Sequence, residues 1–226
     1  MVENKKLNAV IFDLDGTLLD TLRDIGEAMN RALKSLGYPT YPISAYRQFV
    51  GEGATVLAEK VLPPDEKNKD NILLLRDIFI KDYRSNWKIH TRPYPGIEEL
   101  LDALTLQRVP MAVFSNKPHY FTKACVDTFL SRWRFESVLG EGEGCPRKPD
   151  PTGALRIANS MGRTPPEVLF VGDTKIDMET AKSAGMRPCG VTWGFRTRDE
   201  LLAHGAAFIV DHPMEIEAII KIREDR

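Results

Sequence analysis

The hydrophobic positions of the chain follow two different patterns. Short apolar runs without a polar interruption, such as residues 9–12 and 168–171, are typical of strands buried on both faces of a parallel sheet. Elsewhere, apolar residues recur every three or four positions, as they do on one face of a helix. From residue 91 onward the two patterns alternate, and this alternation predicts a doubly wound parallel sheet.

The predicted elements follow from these patterns. After the first strand, further strands are predicted at 109–114, 137–139, 168–171, 188–192 and 207–210, with helices at 97–107, 120–130, 198–203 and 214–223. A further helix opens at 147–151 and ends at Gly162, and another lies behind Asp173.

Residues 18–90 differ from the rest because they show only helical spacing, starting with Leu18, and nothing in them alternates like a strand. We therefore expect an all-helical cap domain at 18–90, inserted after the first strand into a core of residues 1–17 and 91–226. An insertion that leaves and rejoins the sheet beside the first strand is well placed to act as a lid.

Composition narrows the class of protein. The 226 residues are 42% hydrophobic and 28% charged with a net charge of −1, so nothing suggests nucleic-acid binding. No apolar stretch has the length of a membrane span, and the polar start at residues 1–6 is unlike a signal peptide. The three scattered cysteines, Cys125, Cys145 and Cys189, fit a reducing compartment. We expect a cytoplasmic protein with neither a nucleic-acid nor a membrane partner.

Polar residues follow the predicted strands where ligands bind in open α/β sheets, beyond the carboxyl ends of the strands. Asp13 and Asp15 end the first strand, Ser115 ends another, Asp173 ends a third, and Lys148 lies at a loop-to-helix junction. Three neighbouring aspartates would repel one another, which argues for a divalent cation, and oxygen ligands suit magnesium better than zinc. A hydroxyl and an ammonium group can hold phosphoryl oxygens, so the set indicates phosphoryl transfer.

These residues lie in four segments whose order carries a resemblance. Asp13-x-Asp15-Gly16-Thr17, Ser115-Asn116-Lys117, Lys148-Pro149 and Gly172-Asp173-x-x-x-Asp177 resemble the four motifs of the haloacid dehalogenase superfamily. The resemblance covers essentially the whole chain. It implies an α/β fold with a Rossmann-like parallel-sheet core, a small helical cap, and phosphatase chemistry through an aspartyl-phosphate.

The resemblance also implies a role for each site residue. Asp13 would be the nucleophile and a ligand of Mg²⁺, and Asp15 the general acid–base that also offers its backbone carbonyl to the metal. Asp173 would be a metal ligand, supported by Asp177. The residues expected to bind substrate are Thr17, Gly51, Gly53, Ser115, Asn116 and Lys148.

Within the superfamily, residues 49–53, 115–118 and 191–195 are similar to segments of phosphoglycolate phosphatases, so the resemblance implies a small phosphorylated metabolite, 2-phosphoglycolate first. We expect the loop 51–53 to close over the substrate and favour a carboxylated ester, although Glu52 would repel an anion unless it points away.

Other readings of the same residues stay open. They include a phosphatase for pyrophosphate, a nucleotide or a sugar phosphate, and a phosphomutase of the β-phosphoglucomutase kind. Asp15 argues against a dehalogenase, which would not need it. A phosphonate hydrolase should have a lysine of the cap at the site, and no cap lysine lies in a recognisable context. The intact acids argue against a non-enzymatic binding module, which would not need them. The oligomeric state and the role of His119, expected on a surface loop, are not determined by the sequence.

Overall fold

The computed structural model describes residues 6–142 and 144–221. Residues 1–5, part of the polar start, and residues 222 and 223, the predicted end of the last helix, lie outside the described residues. The strands are β1 (Ala9–Phe12), β2 (Leu19–Asp20), β3 (Arg92–Pro93), β4 (Met111–Pro118), β5 (Ser137–Glu141), β6 (Val168–Gly172), β7 (Arg187–Val191) and β8 (Phe208–Val210). The first five helices are α1 (Leu22–Ser35), α2 (Tyr46–Phe49), α3 (Ala54–Val61), α4 (Lys69–Asn86) and α5 (Ile97–Leu106). The others are α6 (His119–Phe129), α7 (Thr152–Ser160), α8 (Lys175–Ser183), α9 (Arg198–Ala203) and α10 (Met214–Lys221).

The central feature is a six-stranded sheet in the order β5-β4-β1-β6-β7-β8, in which all neighbouring strands are parallel. This confirms the predicted α/β fold class. The residues of β1 have no solvent exposure, as expected for an apolar run between two other strands. Because the chain continues to β4 on one side of β1 and later to β6 on the other, the crevice beyond β1 lies at a topological switch point.

Hydrophobic cores cover both faces of the sheet, because successive residues of a strand point to opposite faces. Val10 and Phe12 belong to one core, with side chains from α5, α6 and α10. Ala9 and Ile11 belong to the other core, which includes residues of α7 and α8. The sheet is therefore held between two layers of helices, and its strand ends are kept in a fixed arrangement.

The helical insertion consists of α1 to α4 and the short turns between them, and it lies between β1 and β4 in the chain. Helices α1 and α4 pack against each other along much of their length. The two ends of the insertion are joined by Asp24, whose carboxylate accepts hydrogen bonds from the backbone amides of His90 and Thr91 and from the Thr91 hydroxyl. The division of the helical insertion from the sheet as a separate domain stays a prediction.

Two details of the strands differ from the sequence predictions. The prediction that residues 18–90 contain no strand is wrong, because Leu19–Asp20 pairs antiparallel with Arg92–Pro93, and the first helix starts at Leu22 instead of Leu18. A two-residue strand is too short to produce an alternating pattern. Strand β4 also continues to Pro118, beyond the predicted end at residue 114, since its last residues are polar.

Every helix in the described part of the chain is too short or too polar to span a lipid bilayer.

Candidate active site

A buried lysine joins two of the predicted acids. Lys148 Nζ lies 2.9 Å from Asp13 Oδ1 and 2.6 Å from Asp177 Oδ1, and only 2% of the lysine side chain is exposed. Its ammonium also lies 5.7 and 5.8 Å from the ring centres of Phe114 and Phe170, which stand on the strands that flank β1. These contacts hold the cation beside Asp13, where it can attract a phosphoryl oxygen.

Three carboxylates form one cluster at the end of β1 and β6. Asp13, Asp173 and Asp177 each place an oxygen within 4.8 Å of the oxygens of the other two, and all three are buried. Asp173 is held by the hydroxyl of Thr17 (3.0 Å) and by the backbone amide of Phe195 (2.8 Å).

Asp177 is held by helix capping. It lies in the first turn of α8, and its Oδ2 accepts hydrogen bonds from the amide and hydroxyl of Thr174, at 3.0 and 2.8 Å. Such a capping box ties the carboxylate to the start of the helix. Asp177, which the resemblance places in support of the metal, therefore also stabilises the start of α8.

Glycines make this crowding possible. A Cβ atom at Gly172 would lie 2.2 Å from Asp177 Cβ, and one at Gly194 would lie 2.2 Å from Asp173 Cβ. Any larger residue would displace the acids, so both glycines set the position of the carboxylates. Both glycines lie in segments that the sequence singles out, but their packing against the acids could not be predicted, because it depends on how the loops after β6 and β7 meet in the fold.

The electrostatics of the cluster favour a bound cation. Burial raises the pKa of Asp13 to about 7, against the attraction of Lys148 and helped by the negative charge of Asp177. Burial and the neighbouring acids also raise the pKa of Asp173 well above its ordinary value. Lys148 offers one positive charge to these three buried carboxylates. The remaining negative charge fits a hard divalent metal ion, which prefers oxygen ligands.

The second acid of the first motif has a different partner. Lys117 Nζ lies 3.0 and 3.1 Å from the two carboxylate oxygens of Asp15 and 2.9 Å from the hydroxyl oxygen of Tyr83 on α4. Burial alone would lower the pKa of Lys117, but Asp15 and Tyr83 raise it above its ordinary value, so the lysine stays charged. Asp13 and Asp15 thus occupy one site while each is paired with its own lysine.

Asn116 connects two loops to β4 through its side-chain amide. Its Nδ2 donates to the backbone oxygens of Gly51 (3.2 Å) and Lys148 (3.1 Å), and its Oδ1 accepts from the Lys148 amide (2.8 Å). The asparagine predicted to bind substrate therefore fixes the lysine loop and the insertion loop relative to β4.

The insertion loop, residues 47–53, is held against the sheet loops by arginines. Arg196 is buried, and its guanidinium donates to the backbone oxygens of Val50 (3.0 Å), Gln48 (3.4 Å) and Arg47. Arg47 in turn donates to the backbone oxygen of Gly194, at 3.0 Å. The loop therefore packs directly beside the acid cluster.

A pocket lies between the insertion and the sheet, with about 580 Å³ of free space counted out to solvent. Of the predicted site residues, those that line it are Asp13, Asp15, Gly51, Gly53, Ser115 and Asn116. Thr17, Lys148, Asp173 and Asp177 lie behind this surface, where they contact one another or Asp13. The structure thus gathers every predicted residue at one site, in two layers.

Two residues that the sequence left undecided have defined contacts. The Glu52 carboxylate lies 2.7 Å from Lys60 Nζ, and this hydrogen bond lowers the pKa of Glu52. The glutamate is thus paired and does not line the pocket. His119 opens α6, where its Nδ1 accepts a hydrogen bond from the Gly140 amide at 3.2 Å, so it joins two parts of the chain.

Three residues near the site escaped the sequence analysis as functional candidates: Lys117, Tyr83 and Arg196. Lys117 lies inside a quoted motif, so the motif was the available signal. Tyr83 and Arg196 carried none, because a helical apolar position and an arginine after a strand do not reveal contacts made across 34 or 146 residues of chain.

Comparisons with known proteins agree with this geometry. Residues 10–191 match the family model described as haloacid dehalogenase-like hydrolase. The chain is 34% identical over 189 residues to the phosphoglycolate phosphatase of Aquifex aeolicus, covering 84% of this chain and 86% of that protein. It is 35% identical over 207 residues to the phosphoglycolate phosphatase of Pseudomonas putida, covering 89% of this chain and 75% of that protein.

Solved structures show the same architecture. A crystal structure from Lactobacillus delbrueckii subsp. bulgaricus, of a protein provisionally named phosphoglycolate phosphatase, has a TM-score of 0.89 and 29% identity, covering 96% of this chain and 99% of that one. The likeness extends over the sheet and the helical insertion together, since almost the whole of each chain is covered.

Proposed function

Because the chain belongs to the haloacid dehalogenase-like hydrolases, we propose that it is a magnesium-dependent phosphatase that hydrolyses 2-phosphoglycolate through an aspartyl-phosphate. The observation that carries the proposal is the pairing of the two acids with different lysines: Asp13 with Lys148 in the carboxylate cluster, and Asp15 with Lys117 at the pocket. The names of the similar phosphatases support the choice of substrate.

The residues that would hold Mg²⁺ are Asp13, Asp173 and the backbone carbonyl of Asp15, with Asp177 in support. A bound magnesium ion would supply positive charge against the phosphoryl oxygens and the carboxylates. Lys148 would supply a second positive charge, and the Ser115 hydroxyl, which lines the pocket, would donate to a phosphoryl oxygen.

The chemical steps then follow from the two acids. The Asp13 carboxylate attacks phosphorus, the bond from phosphorus to the ester oxygen breaks, and Asp15 gives its proton to the departing glycolate oxygen. Asp15 next takes a proton from a water molecule, whose oxygen attacks phosphorus. The bond from phosphorus to Asp13 breaks, which releases phosphate and restores both acids.

The proposal is tested by measuring phosphate release from a panel of esters with Mg²⁺ and with a chelator. We expect 2-phosphoglycolate to give a higher kcat/KM than pyrophosphate, a nucleoside monophosphate or β-glucose 1-phosphate, and the chelator to abolish release. A better ester elsewhere in the panel would contradict the substrate, and isomerisation of the sugar phosphate would indicate a mutase.

Asp13→Asn tests the proposed nucleophile independently of which ester is the substrate. Because an amide is a poor nucleophile for phosphorus, kcat should fall on the order of 10⁴-fold or more. Mass spectrometry of wild-type protein quenched in acid should find the phosphoryl group on Asp13, and its capture on another residue would refute the assignment.

A further inference from the structure

The pocket above Asp13 contains few charged side chains. Apart from Asp13 and Asp15, its walls are mainly apolar. The apolar side chains that line it include Ile25, Leu57, Phe79, Ile80 and Phe121. Among the described residues, Lys117 is the only cation that lines this pocket. An anionic group in such surroundings needs a charged partner, because burying an unpaired charge is costly.

Lys117 is placed to be that partner. It stands near the end of β4, 4% of its side chain is exposed, and its ammonium already contacts both oxygens of Asp15. Asp15 is the acid proposed to protonate the ester oxygen. In 2-phosphoglycolate a single methylene separates that oxygen from the carboxylate carbon, so a group in contact with Asp15 lies within reach of the carboxylate.

Tyr83 supplies an independent observation from the opposite wall. Its hydroxyl oxygen accepts a hydrogen bond from Lys117, but the hydroxyl proton finds no acceptor among the residues that the structure describes. The residue is 2% exposed, and its ring is packed between Phe79 and Phe121, with ring centres 5.4 and 5.0 Å away. A buried hydroxyl that donates to nothing leaves a donor available to a ligand in the pocket.

We propose that Lys117 and Tyr83 together bind a carboxylate on the alcohol part of the substrate. This inference rests on the proposed function and adds the residues that select its substrate. One group comes from the sheet and the other from α4, so the carboxylate is recognised only where the insertion meets the sheet. The surrounding apolar side chains strengthen the attraction, because they lower the local dielectric constant.

The test compares two substrates of equal size, 2-phosphoglycolate and its amide, in which the carboxylate is replaced by a neutral group. Both use the same phosphoryl chemistry, so their ratio of kcat/KM isolates recognition of the charge. Lys117→Met should lower this ratio by roughly 10- to 150-fold, the range for losing a hydrogen bond to a charged group. Tyr83→Phe, which removes one oxygen atom, should lower it about tenfold.

Lys81→Met is the matched control. It removes the same charge from α4, the helix that carries Tyr83, but Lys81 is exposed and does not line the pocket, so the ratio should stay as in the wild type. If Lys117→Met does not fold, as judged by circular dichroism, Tyr83→Phe decides the outcome alone.

The outcomes separate the two proposals. Equal losses on both substrates would overturn the inference and leave the proposed function standing, because Lys117 would then act only through Asp15. A wild-type protein that hydrolyses the amide and other esters but leaves 2-phosphoglycolate intact would overturn the proposed substrate instead.

Discussion

Gly16 shows how much a single residue decides at this site. Its φ angle is +87°, and a Cβ atom there would lie 2.3 Å from Asp173 Oδ2. Alanine would therefore combine backbone strain with the displacement of a proposed metal ligand. Gly37 offers a comparison, because its φ angle is +78° but nothing lies within 4 Å of a Cβ atom.

We expect Gly16→Ala to lower kcat/KM by about 100-fold, since a shift of about 1 Å in a catalytic group has that effect. Gly37→Ala should lower the free energy of unfolding by about 1–2 kcal/mol, the approximate strain of an L-residue at a positive φ angle, and leave the activity unchanged. Kinetics and urea denaturation of both variants check this. Equal activity losses would show that strain, and not the contact with Asp173, is responsible.

Asp15→Asn tests the second acid. An asparagine cannot give a proton to the departing oxygen, so esters of weakly acidic alcohols should lose about 10²- to 10⁴-fold in kcat/KM, the typical contribution of a general acid. An aryl phosphate, whose phenolate leaves without protonation, should lose far less. The two substrates are compared in one assay, and equal losses would remove the general-acid role from Asp15.

The residues of the candidate site that lie in short sequence motifs could be predicted. Asp13, Asp15 and Asp173 follow strands directly, so the fold brings them together without further information. Lys117 and Tyr83 are different, because their contact joins β4 to a helix of the insertion. Such a pairing depends on the packing of the insertion against the sheet, and no spacing along the chain encodes it.

At the scale of elements, the position of the turn between α2 and α3 depends on a side chain from the loop after β7. Arg196, which follows β7, donates to three backbone oxygens of residues 47–50, and 8% of it is exposed. A single arginine therefore holds the insertion loop beside the acid cluster.

Arg196→Met should lower the free energy of unfolding by about 2–3 kcal/mol, the loss expected for hydrogen bonds from a charged donor, and reduce kcat/KM as the loop loosens. Arg198→Met is the control, since Arg198 pairs at the surface with Asp211, where an ion pair contributes at most about 1 kcal/mol. Urea denaturation of both variants distinguishes them. Equal stability losses would mean that Arg196 does not hold the loop.

The elements themselves were predictable where they are long. Uninterrupted apolar runs identify the strands of the large sheet, and apolar residues every three or four positions identify most of its helices, because both patterns are visible in a single segment of chain. Strands β2 and β3 are two residues long and form only by pairing with each other, so neither has a recognisable sequence pattern. The polar end of β4 was missed for a related reason: its residues form a strand because they lie beside other strands at the site.

At the scale of the whole molecule, we expect the crowding of Asp13, Asp173 and Asp177 to oppose folding and a bound cation to offset this repulsion. An ion that binds only the folded state stabilises it by about 2.7 kcal/mol at 100 times its Kd. For a chain of 226 residues this corresponds to a rise in Tm of roughly 5–10 °C.

We therefore expect Mg²⁺ to raise Tm, as measured by differential scanning calorimetry at constant ionic strength. Asp173→Asn, which removes a proposed ligand, should abolish most of the rise, whereas Asp82→Asn, at the outer side of the insertion, should leave it unchanged. A rise of equal size in all three proteins would place the ion elsewhere.

The β2–β3 ladder holds the two ends of the helical insertion side by side, with Leu19 opposite Pro93 and Asp20 opposite Arg92. Residues 21–91 thus form a closed loop whose entry and exit stay together whatever lies between them. Because doubling the length of a loop costs only about 0.6 kcal/mol in closure entropy, the helices can be exchanged for a longer, shorter or unrelated segment at little cost to the sheet. Evolution could therefore replace the segment that covers the pocket while the residues at the end of β1, among them the proposed nucleophile Asp13, stay the same.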